Sequence, residues 1–352
     1  MRGKRILKKC MAVLLAVSLF GLPAAGCGAK QVEIAASNEG GTETTDEVKI
    51  GMIFDTFVVE RWIRDRDAFL TTAQDLGATV DITNANGSIE RQEEMIRYYA
   101  DNGFDAVVIV AIDSSPLVRA IRDARAKGVK IISYDRLIRM AGSDLYISFD
   151  NRGVGRLMAQ AAADRLTQGD PVLLLLGPQS DNNTLLLEEG IMEVLDEKGL
   201  TVADRAYITD WDAEEASRYI EENLETVREV KGIICGNDNF AGSVIRTLSA
   251  NRVDLPVITG QDADLDACQR IVEGTQTMTV YKPVHLLAQE AAKSAVALCT
   301  GEDIEALETL NDGAVEVRTM LLAPQAVYAS NMEDTIIESG FHTWDEVYLN
   351  VR

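Results

Sequence analysis

Five apolar runs along the chain each close on a cluster of Asp, Asn or Arg: VKIGMIFD (48–55), KIISYDR (130–136), LYISFDN (145–151), GIICGND (232–238) and PVITGQD (256–262). Continuous runs of this length, rich in β-branched residues and separated by helical segments, predict strands buried on both faces of a parallel sheet. After Asn151 the pattern changes. Val154, Leu157, Met158, Ala161, Ala162 and Leu166 recur at helical spacing and predict an amphipathic helix. An alternating strand–helix order runs from 48 to about 135 and begins again near 145. The chain therefore reads as two α/β units, each a parallel sheet with helices on both sides. Ligands of open parallel sheets bind beyond the carboxyl ends of the strands, which is where the polar clusters fall. The competing explanation for each cluster is local, since Asp and Asn after a strand also form turns and cap the next helix.

What precedes the first run belongs to processing. Arg2, Lys4, Arg5, Lys8 and Lys9 form a basic head, followed by the apolar stretch Met11–Leu22, which is too short for a stop-transfer helix. It ends in Ala24-Ala25-Gly26 directly before Cys27, small residues at a cleavage position. Residues 28–47 turn to Ser, Thr, Gly, Glu and Ala without apolar periodicity, the composition of a tether. The formal charge is −22, and subtracting the five basic residues of the head leaves −27. A chain this acidic repels phosphate backbones, so nucleic acid is excluded as a partner. Cys235, Cys268 and Cys299 are an odd set at wide spacing, which suggests buried thiols rather than a disulfide framework. About 305 residues follow position 47, more than one core usually serves.

The chemistry in the clusters favours binding over catalysis. His285 and His342 form no spaced metal pair, and neither a Gly-x-Ser-x-Gly elbow nor a Gly-x-x-x-x-Gly-Lys phosphate loop is present. No metal and no cofactor is expected. Carboxylates, guanidinium groups and amides suit a ligand covered in hydroxyls, each both donor and acceptor. Hydrogen bonds to charged groups contribute about 1.5–3 kcal/mol each. Micromolar binding needs only about 8 kcal/mol, so a handful suffices. Trp62 and Trp211 are the aromatic faces that could cover apolar C–H surface.

Longer stretches carry a resemblance. Glu60-Arg61-Trp62, Tyr134-Asp135-Arg136, YISFDN (146–151), Asp181-Asn182-Asn183, GQDADL (260–265) and GTQTMTVYKP (274–283) are similar to segments of the bacterial sugar-binding proteins of ABC importers. These have the type I periplasmic-binding-protein fold, and the likeness is strongest to the xylose-binding members. The resemblance implies an α/β fold of two Rossmann-like lobes joined by three strands that close as a hinge. The crossings would lie near Leu137–Ile147, Gln261–Lys282 and Leu322–Val327. The lobes would be 48–140 plus 283–322 and 141–282 plus 323–352. Arg61, Asp135, Arg136, Asp181, Asn183, Asn237, Asp262 and Lys282 would line a monosaccharide site, with Trp62 and Trp211 stacking on the sugar. Ala24-Ala25-Gly26-Cys27 resembles a lipobox, which implies cleavage after residue 26, lipidation of Cys27 and a monomer anchored to the cell membrane outside the cytoplasm. A pentose, D-xylose foremost, would be delivered to an ABC permease, the alternative being presentation to a membrane histidine kinase. GPQSDNN (177–183) and Thr-Phe-Val-Val after Asp55 depart from the family pattern and flank the expected pocket.

Overall fold

The computed structural model describes residues 47–58, 61–304 and 308–351. The signal segment, Cys27, the tether through residue 46 and Glu60 lie outside the described residues. The first half of the chain runs β1 (Lys49–Phe54), α1 (Arg61–Asp75), β2 (Thr79–Asn84), α2 (Ile89–Asp101), β3 (Ala106–Ile109), α3 (Ser114–Ala126), β4 (Lys130–Tyr134) and β5 (Leu145–Phe149). Next come α4 (Asn151–Ala163), β6 (Pro171–Leu176), α5 (Asn182–Lys198), β7 (Thr201–Tyr207), α6 (Ala213–Glu222), α7 (Leu224–Glu229), β8 (Gly232–Cys235) and α8 (Asp238–Ala250). The chain continues through β9 (Val257–Thr259), α9 (Leu265–Glu273), β10 (Thr279–Tyr281), α10 (Val284–Thr300), β11 (Glu308–Asn311), β12 (Glu316–Leu322), β13 (Gln325–Val327) and α11 (Trp344–Val347).

The strands form a seven-stranded sheet in the order β11-β12-β5-β4-β3-β1-β2, a four-stranded sheet β7-β6-β8-β9 and the pair β10-β13. The first sheet is parallel apart from β11, and the second is parallel throughout. Central strands β3, β5 and β8 are buried at every residue because helices cover both faces, which is why their sequences are apolar without alternation. Edge strands β2 and β7 show alternating exposure, and their sequences TVDITN and TVADRAY carry polar residues accordingly. In each sheet the strand order reverses beside its first strand, β1 in one and β6 in the other. Both reversal points place their loops at carboxyl strand ends, the position that open α/β sheets use for ligands.

One boundary differs from the sequence reading. The run 145–149 was assigned to the second unit, but β5 pairs with β4 through Tyr134↔Ile147 and with β12 through Ile147↔Met320, inside the first sheet. A strand buried on both faces has no polar face to show which sheet it joins, and the Asp-Asn after it resembles the start of a new unit. The chain leaves the first sheet only at Asp150, whose N–H donates to the Leu322 carbonyl, 3.0 Å away. It also leaves after Leu322 toward β13 and returns through Lys282 and Pro283 into α10. The first core packs β1, β4 and β5 against α1 and α10, and the second sheet is lined on its two faces by separate clusters. Phe341, in the segment after β13, packs against both the first core and the cluster that holds α9 and β13. Arg64 of α1 donates to its carbonyl at 2.5 Å and lies 4.4 Å over its ring. Cys235 and Cys268 are buried free thiols, whereas Cys299 is half-buried against the first core.

Candidate functional site

The first sheet supplies a set of paired charges. Asp55 follows β1, Arg61 opens α1, and Asp135 and Arg136 follow β4. Arg136 Nη1 lies 2.7 Å from Asp55 Oδ2 and donates to the Ala111 carbonyl at 2.9 Å, so ends of three strands fix one guanidinium. Arg61 Nη2 lies 2.8 Å from Asp135 Oδ2 and 3.3 Å from Asp65 Oδ1. Asp135 adopts a φ of 63°, a left-handed conformation that a short polar residue tolerates better than a bulky one. Its backbone is pinned there, because its N–H donates to Ile147 at 2.8 Å and its carbonyl accepts from Ser148 Oγ at 2.6 Å. Trp62 is packed into the first core, 6.0 Å from the Phe54 ring, with Arg61 at 4.3 Å and Arg136 at 5.8 Å over its face. Its ring is therefore committed to guanidinium groups and core rather than left open for stacking.

The second sheet faces these charges. Asp181 and Asn237 are N-caps of α5 and α8, accepting from the N–H of Asn183 at 2.9 Å and of Phe240 at 2.8 Å. The local explanation of the polar clusters thus holds for both, and it coexists with a place in the site: Asp181 Oδ2 also takes Arg136 Nε at 3.2 Å and Trp211 Nε1 at 3.2 Å. Trp211 is half-buried, has a φ of 57° and stacks on Phe240 at 5.7 Å. It lies so close to the strand ends that a Cβ on Gly177 would strike its ring, and one on Gly236 would come within 3.0 Å of it. Those glycines are required by close approach. Lys282 is buried, with Asp262 Oδ1 at 2.6 Å and Gln261 Oε1 at 3.0 Å, and Gln261 Nε2 donates to the Gly236 carbonyl at 2.6 Å. Asp262 has a φ of 102°, outside the ordinary region for a non-glycine residue.

Side chains from the two sheets meet. Arg136 reaches Asp181, and Asn183 Nδ2 donates to Asp135 Oδ1 at 3.1 Å and to the Asp135 carbonyl at 3.2 Å. Burial drags the Arg61 guanidinium down, but Asp135, Asp65 and Asp262 outweigh it and hold the charge more firmly than usual. Burial also pushes the Asp135 carboxyl up, and Arg61, Lys282 and Arg136 more than cancel this, leaving it below its ordinary value. For Asp181 burial wins, and its carboxyl is raised despite Arg136 and the Asn183 N–H. Among the described residues Arg61 Nε and Asn183 Oδ1 are buried without a protein partner, one donor and one acceptor on opposite sides. A group bearing hydroxyls can serve both.

All ten residues singled out for the site are described, and they gather at the facing strand ends, with Trp62 behind the guanidinium groups and Asn237 spent on its cap. The family description "periplasmic binding protein domain" matches residues 50–303. The chain belongs to the periplasmic binding protein family. Within the family it is 41% identical over 307 residues to the D-xylose-binding periplasmic protein of Escherichia coli (strain K12), covering 86% of this chain and 93% of that one. It is 39% identical over 308 residues to the D-xylose-binding periplasmic protein of Haemophilus influenzae, with 86% and 92% covered. Among solved structures, a carbohydrate transporter solute binding protein from Chloroflexus aurantiacus in complex with D-glucose superposes with a TM-score of 0.79 at 30% identity, over 86% of this chain and 98% of its own. The chain is thus a type I periplasmic binding protein, similar to the xylose binders.

Several members of the network were not singled out from the sequence. Asp55 ended the first apolar run but lacked a recognisable partner until Arg136 met it from 81 residues away. Asp65 stands four residues after Arg61, the helical spacing that brings side chains together, and that signal was available. Gln261 sits inside the GQDADL stretch, between two residues read for other reasons. Asp238, one residue past the Asn237 cap, is buried and accepts from Thr279 Oγ1 at 2.7 Å and Gln276 Nε2 at 2.8 Å. Burial pushes its carboxyl up to about 7.

Proposed function

We propose that this periplasmic binding protein captures a monosaccharide outside the cytoplasm, D-xylose in preference to hexoses, and delivers it to the permease of an ABC transporter. The supporting observation is the meeting of hydrogen-bonding side chains across the site, Arg136 with Asp181 and Asp135 with Asn183, flanked by Arg61 on one side and the Asp262–Lys282 pair on the other. A sugar engages both sets only when the lobes are together, so binding favours closure by the difference in contacts between the two forms. Trp211 offers the flat face for the sugar's C–H surface. The relatives whose names specify D-xylose match over most of this chain, which supports the pentose. The working lobes are 48–149 with 283–322 and 150–282 with 323–351, the protein acts as a monomer, and lipidated Cys27 tethers it to the membrane.

Calorimetric titration of a chain from Glu47 onward, unfolded and refolded to remove carried-over sugar, tests the reading with xylose, ribose, arabinose, glucose and galactose. Micromolar or tighter xylose binding, with much weaker hexose binding and the sugar recovered unchanged, supports it. A hexose preference overturns the ligand, and no binding to any sugar overturns the function. Labelled fatty acid carried by the full chain, and lost in Cys27→Ala, tests the anchor. Sugar uptake that persists without the chain, with loss of a transcriptional response to sugar, would favour the histidine-kinase alternative.

A further inference from the structure

We propose that Asp65, which lies beneath Arg61 and binds Tyr134, is a positioning residue that sets the Arg61 guanidinium and makes sugar affinity depend on pH. The proposal deepens the sugar-binding reading and rests on it. Asp65 does not belong to the set that meets across the sheets. It is on the core side of α1, fully buried, on the helix that carries Trp62, Phe69 and Ala73 into the first core. Its Oδ1 accepts from Tyr134 Oη and lies 3.3 Å from Arg61 Nη2, while its Oδ2 is buried without a partner among the described residues.

A half-satisfied carboxylate in an apolar core is a poor device for stability, since apolar residues of similar volume commonly serve as well or better. What it does accomplish is geometric. Arg61 Nη2 is shared between Asp65 and Asp135, so one nitrogen of the guanidinium is held between a core carboxylate and the first-sheet wall of the site. A long side chain held at one carboxylate alone retains more freedom than one held at two. Tyr134, the residue before Asp135, fixes Asp65 in turn through its hydroxyl.

The groups that act on Asp65 are Arg61 on its own helix and Tyr134 and Asp135 at the end of β4. α10, packed in the same core, brings apolar Leu287, Ala288 and Ala291. Burial pushes the Asp65 carboxyl up to about 6, against Arg61 and the Tyr134 hydroxyl. As pH falls through that value Asp65 becomes neutral, its hold on Arg61 drops from an ion pair to a hydrogen bond between the guanidinium and an uncharged carboxyl, and affinity falls.

Carboxyl-carbon NMR of Asp65 and the Arg61 Nε–H resonance, followed from pH 5 to 8 without sugar, read the hold directly. Calorimetry with xylose over the same range reads the consequence. In the wild type both resonances are expected to move together near pH 6, and the Kd to weaken about five- to tenfold toward pH 5 as the negative partner of the Arg61 guanidinium is lost. Asp65→Asn should show the acid-limb Kd at every pH, with a flat profile. Tyr134→Phe, which removes the donor favouring ionised Asp65, should move the midpoint upward. Burial raises the Asp181 and Asp238 carboxyls too, and persistence of the pH dependence in Asp65→Asn would place it on a group other than Asp65 and overturn the proposal. An unchanged Kd in Asp65→Asn would do the same. A wild type that binds no sugar would overturn the sugar reading and the affinity claim together, whereas binding with a flat pH profile overturns the proposal alone.

Discussion

Arg136→Ala is the sharpest test of the cross-sheet network. The guanidinium is the shared counter-charge of Asp55 at 2.7 Å and Asp181 at 3.2 Å, and it also satisfies the Ala111 carbonyl at 2.9 Å. Its removal strands two carboxylates, one from each sheet, facing each other with no cation between them. Three hydrogen bonds to a charged group would sum to about 4.5–9 kcal/mol if they were independent. Breaking a buried ion pair by deleting one partner costs about 3–5 kcal/mol in practice, and the lower range applies because one guanidinium makes all three bonds. Part of that cost falls on closure. The whole cost would correspond to a loss of xylose affinity of about a hundred- to a few-thousand-fold, so with part of it the expected loss is about tenfold or more, read by calorimetry at pH 7.5. Two further measurements isolate the cause. Asp181→Asn added to Arg136→Ala should recover part of the loss, because one stranded charge is gone, so the pair should depart from additivity in the favourable direction. Lowering the pH should also help Arg136→Ala, since burial already raises the Asp181 carboxyl and loss of the guanidinium raises it further, so that Asp181 protonates. An affinity within about threefold of wild type, or a double variant that is worse by the sum of the singles, would refute the electrostatic account.

Other consequences can be checked on stability and kinetics. Gly190→Ala should lower stability by about 3 kcal/mol or more in urea unfolding, because its Cβ would collide with the Arg152 carbonyl where α4 and α5 cross, and backbone cannot yield as a side chain can. Asp238 binds a proton more readily in the folded chain, at about 7 against an ordinary 3.8, so its contribution is complete below about 4 and is lost as pH rises to 7. Urea midpoints measured from pH 4 to 8 should fall over that window, and Asp238→Asn should flatten the slope. Phe341→Ala should remove packing from both cores at once, lowering stability by about 2 kcal/mol for a half-buried ring and quickening sugar release in stopped-flow measurements. Release at the wild-type rate would confine Phe341 to a structural role.

How legible the molecule was depended on what kind of force set each feature. The parallel strands were readable because burial on both faces leaves unbroken apolar runs, as in β5 and β8. Their grouping was less so: backbone pairing with β4 on one side and with the distant β12 on the other places β5 in the first sheet, and no local pattern in the run reports either partner. The position of Arg136 at a strand end was visible, but its pairing with Asp55 and Asp181 depends on how strand ends from separate parts of the chain come together. Trp62 shows a different limit. An aromatic beside an arginine reads as a sugar face, but the sequence carries no sign that the ring lies under the guanidinium. Asp65 has the helical spacing that pairs it with Arg61, but that spacing alone does not distinguish a buried pair from a surface one.

Asp181 and Asn237 each follow a strand and cap the next helix beside the proposed ligand position, and this dual duty limits how such a site can diversify. Only a few short residues cap a helix well, and replacing one by Ala costs about 1 kcal/mol of stability. Mutational drift toward a new ligand is therefore filtered at these two positions before any sugar is met, with Ser, Thr, Asp and Asn the affordable steps. Asn183 and Trp211 carry no cap of their own, and Asn183 already bridges to the opposite sheet. A directed library that varies them while holding the caps fixed would search ligand preference along the directions in which folding interferes least.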